Sequence, residues 1–125
     1  MRLQLFFIFP ILAVMAACNS LVPSATPTLT PLESQGRRVL ESYCSRCHGT
    51  TGDTVIVGPS LAGIATRGRE RIQGMDAEEY IRNSIEDPTA YTVQGFSEGL
   101  MPLDLKDQLS EEELEALVAY LLTLK

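Results

Sequence analysis

The sequence predicts one small all-α domain of three to five helices. Three observations carry that prediction: amphipathic runs at helical spacing, capping signatures where those runs begin, and the absence of any sustained two-residue alternation. A chain of 125 residues has room for one such domain and no second core. Hydrophobic residues make up 45% of it, but there is no Trp and only 6% is aromatic, so a core built from side chains alone would be thin and something else should help fill it. Sixteen acidic against ten basic residues give a net charge of −6, which argues against a nucleic-acid partner. The acidic excess reads either as a solvated surface or as steering toward a basic patch on a partner.

Residues 1–17 have the build of an export leader: one early positive charge at Arg2, then a mostly apolar run too short to span a bilayer comfortably. The run ends Met15-Ala16-Ala17-Cys18, which resembles the lipobox of bacterial lipoproteins, with Met15 where Leu is usual. That resemblance implies a lipidated N-terminus at Cys18; the alternatives are plain cleavage after Ala17 or an uncleaved anchor. Residues 18–33, rich in Pro, Thr and Ser and without apolar period, read as a flexible tether between membrane and domain. Removing the leader with Arg2 leaves nine basic against sixteen acidic residues.

The domain is expected over residues 34–125. A first amphipathic helix, with Ser34 available as its cap and Val39, Leu40 and Tyr43 on one side, runs into Cys44 and Cys47. Residues 49–71, rich in Gly, Thr and Arg and broken at Gly58-Pro59, read as loop with short turns at most. Asp76 with Glu79 three positions on opens a second helix that stops at Asp87-Pro88. After another irregular stretch, Ser110 with Glu113 opens a third, whose apolar stripe of Leu114, Leu117, Val118, Leu121 and Leu122 reaches the C-terminus. Two loops near twenty residues would be anomalous in a compact domain unless they wrap a large buried ligand.

Cys44-Ser45-Arg46-Cys47-His48 is the C-x-x-C-H pattern of covalent haem attachment. Two thiols at that spacing on a helix end can reach both vinyl groups on one porphyrin edge, which brings the adjacent imidazole under the iron. The competing readings are a thioredoxin-type pair, which wants a βαβ setting, and half of a zinc site, which wants further ligands. No strand pattern persists, His48 is the chain's single histidine, and Cys18 lies beyond the tether. With each of the three cysteines assigned its own task, no disulfide is expected.

From Ser34 to Lys125 the chain resembles the class I monohaem cytochromes c, on C-x-x-C-H-G, a downstream Met101-Pro102 and an amphipathic C-terminal helix. The resemblance implies a small fold wrapped around one covalent haem c, with N- and C-terminal helices crossing beside it. Gly36 and Leu40 would face Leu117 and Tyr120 at that crossing. It implies His48 as proximal iron ligand and Met101 as sixth ligand, where a lone methionine could otherwise simply fill a core gap. It implies further that the carbonyl of Pro59 accepts the imidazole proton, the alternative being an ordinary turn. Arg67 lies near the family's propionate-binding arginine, with Arg69 and Arg71 close enough to compete. Tyr91 and Phe96 flank the methionine loop and could pack on the porphyrin or in the core.

An iron with both axial positions filled can exchange electrons but offers no open site for substrate, so the expected role is electron transfer with no catalytic residues. Redox proteins are the expected partners, and the expected place is outside the cytoplasm, at a membrane through the lipid on Cys18, as a monomer or as a subunit of a respiratory or dehydrogenase complex. The region from Ile85 to Tyr120 is also similar to cytochrome c domains appended to terminal oxidase subunits. A haem enzyme or sensor would require Met101 to leave the iron or never bind it.

Overall fold

A computed structural model describes residues 28–125. The expected leader, the lipidation site Cys18 and the tether as far as residue 27 lie outside the described residues. Four α-helices order the described chain: α1 (Pro31–Tyr43), α2 (Ile64–Arg67), α3 (Ala77–Glu86) and α4 (Glu111–Leu121), with 3₁₀ turns at Gly68–Glu70 and Lys106–Gln108. Among the described residues there is no strand, only an isolated antiparallel pairing of His48 with Val55.

The first helix starts three residues before the expected Ser34, inside the segment assigned to the tether. Thr30, not Ser34, is its cap: the Thr30 hydroxyl accepts from the Glu33 amide at 3.2 Å and the Glu33 carboxylate accepts from the Thr30 amide at 2.6 Å. Pro31 at the first helical position is pre-set in φ and lacks a donor that would have no partner there. The second difference lies in residues 49–71, where α2 and the 3₁₀ turn run on continuously from Ile64 to Glu70. Gly63, at φ +70°, opens that stretch, and the Ala65 amide donates to the Leu124 carbonyl at 3.0 Å, which pins it to the C-terminus.

The other two helices begin where their signatures lie. The Asp76 carboxylate accepts from the Glu79 amide at 2.8 Å, and Ser110 and Glu113 cap α4 reciprocally at 3.2 and 2.9 Å. Helices α1 and α4 cross at Gly36, where a Cβ would fall inside the backbone carbonyl of Ala116 and against the Cβ of Tyr120. That close approach buries Val39 and Leu40 against Leu114, Leu117, Val118 and Leu121, and the same cluster takes in Tyr80, Ile81 and Ile85 of α3. Arg82 joins α3 to α4 through Glu115 at 2.8 Å, a surface pair that contributes at most about 1 kcal/mol. Leu117, fully buried, faces both this core and the cavity beside it.

Candidate functional site

The site is built outward from the end of α1. Cys44 caps the helix, its amide donating to Leu40 at 2.8 Å, and its carbonyl then accepts from both the Cys47 amide (3.0 Å) and the His48 amide (2.9 Å). This single turn holds both sulfurs and the imidazole on one short piece of backbone. The Cys47 carbonyl accepts from Val57 (3.1 Å) and Gly58 (2.9 Å), folding the intervening loop back so that Pro59 meets the histidine. Ser60, buried, anchors the return: its hydroxyl donates to the Gly52 carbonyl at 2.6 Å and accepts from the Ala62 amide at 3.1 Å.

His48 Nδ1 stands 2.7 Å from the Pro59 carbonyl oxygen. A carbonyl can only accept, so Nδ1 carries the proton and Nε2 keeps a free lone pair, which fixes both tautomer and ring orientation. Gly58 lies against the ring: a Cβ there would come within 2.5 Å of Cε1 and 2.9 Å of both nitrogens. The absent side chain makes room for the imidazole.

Cys44, Cys47, His48, Pro59 and Met101 all line one cavity. Its walls are Ile64 of α2, Tyr80, Ile81 and Ile85 of α3, Leu117 and Leu121 of α4, and the loop from Pro88 to Leu105. Asp87 orders the start of that loop by accepting from the Thr89 amide (3.1 Å) and hydroxyl (2.6 Å), bonds that hold its carboxyl below the usual range. Gly95 and Gly99, at φ +92° and +73°, supply the turns that bring Met101 inward. Burial, with the neighbouring Cys47, pushes the Cys44 thiol up to about 11 and so keeps it neutral in the unmodified chain. Tyr91 and Phe96 also line the cavity, and Tyr91 packs edge-to-face on Tyr80 with ring centres 5.8 Å apart.

The structure separates the three arginines. Arg67 does not line the cavity: its Nη2 donates to the Ser60 carbonyl at 2.7 Å, so its guanidinium braces the turn behind Pro59. Arg69 turns back to the Ala65 carbonyl at 3.4 Å. Arg71 is the cavity-lining member of the three, and its Nε is buried without a partner. Spacing does not separate Arg67 from Arg71, which stand one helical turn apart; the Ser60 carbonyl holds the first, and the second lines the cavity.

The cytochrome c family model matches residues 34–125. The chain belongs to the cytochrome c family. This cytochrome is 37% identical over 103 residues to the cytochrome c oxidase subunit 2 of Alkalihalophilus pseudofirmus; the match takes in 79% of this chain but only 27% of that relative's length. Among solved structures it is similar to an engineered cytochrome c from Rhodothermus marinus bound to a carbene intermediate, at 25% identity and a TM-score of 0.47, over 82% of this chain and 88% of that one.

Membership implies a covalently attached haem c, haem-based electron transfer and redox partners, in a domain type that is typically extracytoplasmic. The residues present fit that group. Two thiols stand at attachment spacing beside an imidazole with a free Nε2, the walls are mainly apolar, and a buried guanidinium nitrogen waits for an acceptor. Among the described residues no helix is long and apolar enough to cross a membrane.

Proposed function

We propose that this cytochrome carries single electrons on one haem c attached through Cys44 and Cys47 and ligated by His48 and Met101. The haem, when bound, supplies the one-electron iron couple. The observation that carries the reading is the joint presence in one apolar cavity of an imidazole with its Nε2 free and the thioether of Met101. The Pro59 carbonyl keeps the imidazole a good donor, the Met101 sulfur favours the reduced metal, and the apolar walls exclude water, all of which hold the potential up. Val57 and Leu100 both line the cavity and stay about half exposed, which leaves an apolar rim where a partner can approach.

The test is absorbance of the purified holoprotein under carbon monoxide, with Met101→Ala beside it. The parent spectrum should be low-spin and indifferent to carbon monoxide. The Met101→Ala protein should bind it and show a lower reduction potential. A parent that binds carbon monoxide would leave the iron five-coordinate and return the haem enzyme or sensor reading.

The export reading rests on sequence: residues 1–17 as leader, Cys18 as the lipidated terminus, and the stretch from there to Thr30 as spacer. An intact mass of the native mature chain reports haem and lipid together, and a mass without a lipid increment removes the anchor. A second reading, a subunit of a respiratory complex, is favoured by the likeness to cytochrome c oxidase subunit 2. Co-purification with oxidase subunits from native membranes decides between that and a tethered free carrier. In either case the acidic excess suits a partner with a basic docking face, and the rate of exchange should fall as salt is added.

A further inference from the structure

The loop that carries Met101 has no hydrogen bond to the rest of the molecule along its middle. From Tyr91 to Leu103 the only hydrogen bond among the described residues runs from the Phe96 amide to the Val93 carbonyl at 3.1 Å, inside the loop itself. Leu100 and Leu103, on either side of Met101, are 47% and 64% exposed, so the stretch around the sulfur rests on the packing of Tyr91 against Tyr80 and of Met101 itself on the core. A segment with so few bonds and such exposed neighbours opens at lower free energy than the helices around it. Two polar contacts tie the foot at which the loop returns to α4, the 3₁₀ turn Lys106–Gln108, to other elements. One is the Lys106–Glu86 pair at 3.9 Å, long and about half exposed, which contributes little. The other comes from the end of α1: the Tyr43 hydroxyl donates to the Gln108 carbonyl at 3.4 Å.

We propose that Tyr43 is a positioning residue of the haem site: its phenol clamps the returning foot of the Met101 loop to the turn that bears Cys44, Cys47 and His48, and so keeps the thioether from giving way to an external ligand. The proposal rests on Met101 being the sixth ligand. Tyr43 is the last residue of α1, adjoins Cys44 and lines the cavity, so its ring stands at the attachment edge while its hydroxyl reaches a residue 65 positions on. Among the described residues this is the one hydrogen bond between the segment 31–48 and the segment 87–110. The Gln108 carbonyl ends a 3₁₀ turn and accepts no other bond among the described residues, as carbonyls at the end of a helical turn have no partner within it. The phenol acts through the loop. With the foot held, the open state in which Met101 has swung away is rarer. An external ligand binds only that open state, so its apparent affinity scales with the fraction of molecules that are open.

The experiment measures imidazole binding to the oxidised holoprotein, with haem attachment verified by mass, in the parent, Tyr43→Phe, Lys106→Gln, Met101→Ala and the double variant Tyr43→Phe with Met101→Ala. Tyr43→Phe keeps the ring and removes one hydroxyl from a side chain that is 38% exposed, so the fold does not depend on it. Loss of that hydrogen bond should raise the open fraction, and with it the apparent affinity for imidazole, by more than twofold and up to about tenfold. With Met101→Ala already present the iron is open in every molecule, and adding Tyr43→Phe should then change the affinity by less than about twofold. Lys106→Gln should give a smaller change than Tyr43→Phe. The proposal is overturned if Tyr43→Phe alone stays within about twofold of the parent, if its enhancement persists in the Met101→Ala background, or if Lys106→Gln matches it. Failure of the ligation reading is distinguishable, because a parent without Met101 on the iron binds imidazole as tightly as Met101→Ala does and binds carbon monoxide as well.

Discussion

Around His48 the margin for substitution is smallest. The ring is fixed from one side by the Pro59 carbonyl and lies against the bare Cα of Gly58, so a methyl group at that position must displace the imidazole or the loop. We expect Gly58→Ala to destabilise the holoprotein by about 1–3 kcal/mol through overpacking, read as a lower denaturation midpoint. A midpoint equal to the parent's would mean that the ring has room the geometry does not show. The C-x-x-C-H run was legible because its chemistry is confined to five consecutive residues. The placing of Arg67 was not, because it depends on a carbonyl that only the return of the loop brings into reach.

Two helix starts were legible because the cap and its partner lie three residues apart beside a clear apolar period. Asp76 and Ser110 begin α3 and α4 as their signatures indicate. The start of α1 was misplaced because Thr30 and Glu33 form the same box inside a Pro- and Thr-rich stretch whose composition suggests a tether. Thr30→Ala should cost about 1 kcal/mol, read by equilibrium unfolding. Bonds to the amide and hydroxyl of Thr30 also lower the carboxyl of Glu33 below its ordinary 4.5. A carboxylate depressed on folding stabilises the native state fully above its unfolded pKa, and that contribution is lost as pH falls through the lower folded value. An NMR titration should therefore find Glu33 low in the parent and back near its ordinary value in Thr30→Ala; a Glu33 that titrates alike in both would dissociate it from the cap. The α1–α4 contact at Gly36 is of another kind, since the glycine was expected there from the resemblance but its partner Ala116 was not.

At the scale of the whole molecule, the described helices enclose a cavity that reaches from the end of α1 to α3 and α4. Its linings are the residues that an all-protein core would have packed together. A chain denied haem by Cys44→Ser with Cys47→Ser should therefore keep much of its helical circular dichroism but lose a cooperative thermal transition, since the cavity cannot collapse without moving α3, α4 and both loops. A sharp two-state melt of that double variant would mean that the core closes on itself. The long loops, anomalous by length alone, are consistent with this: Val57, Pro59 and Leu61 of the first and Tyr91, Phe96 and Met101 of the second line the cavity.

By itself the sequence determined the all-α class, the capped starts of α3 and α4 and the attachment motif, because periodicity, caps and C-x-x-C-H are local and each sits within a few residues. Only the tertiary structure decided that Thr30 starts α1, that α2 continues into a 3₁₀ turn, that Pro59 fixes the histidine tautomer, and that Arg71 rather than Arg67 faces the cavity. Most of those outcomes turn on a partner brought in by chain closure from another part of the sequence, and the spacing of residue types along a chain does not encode which carbonyl a side chain will meet.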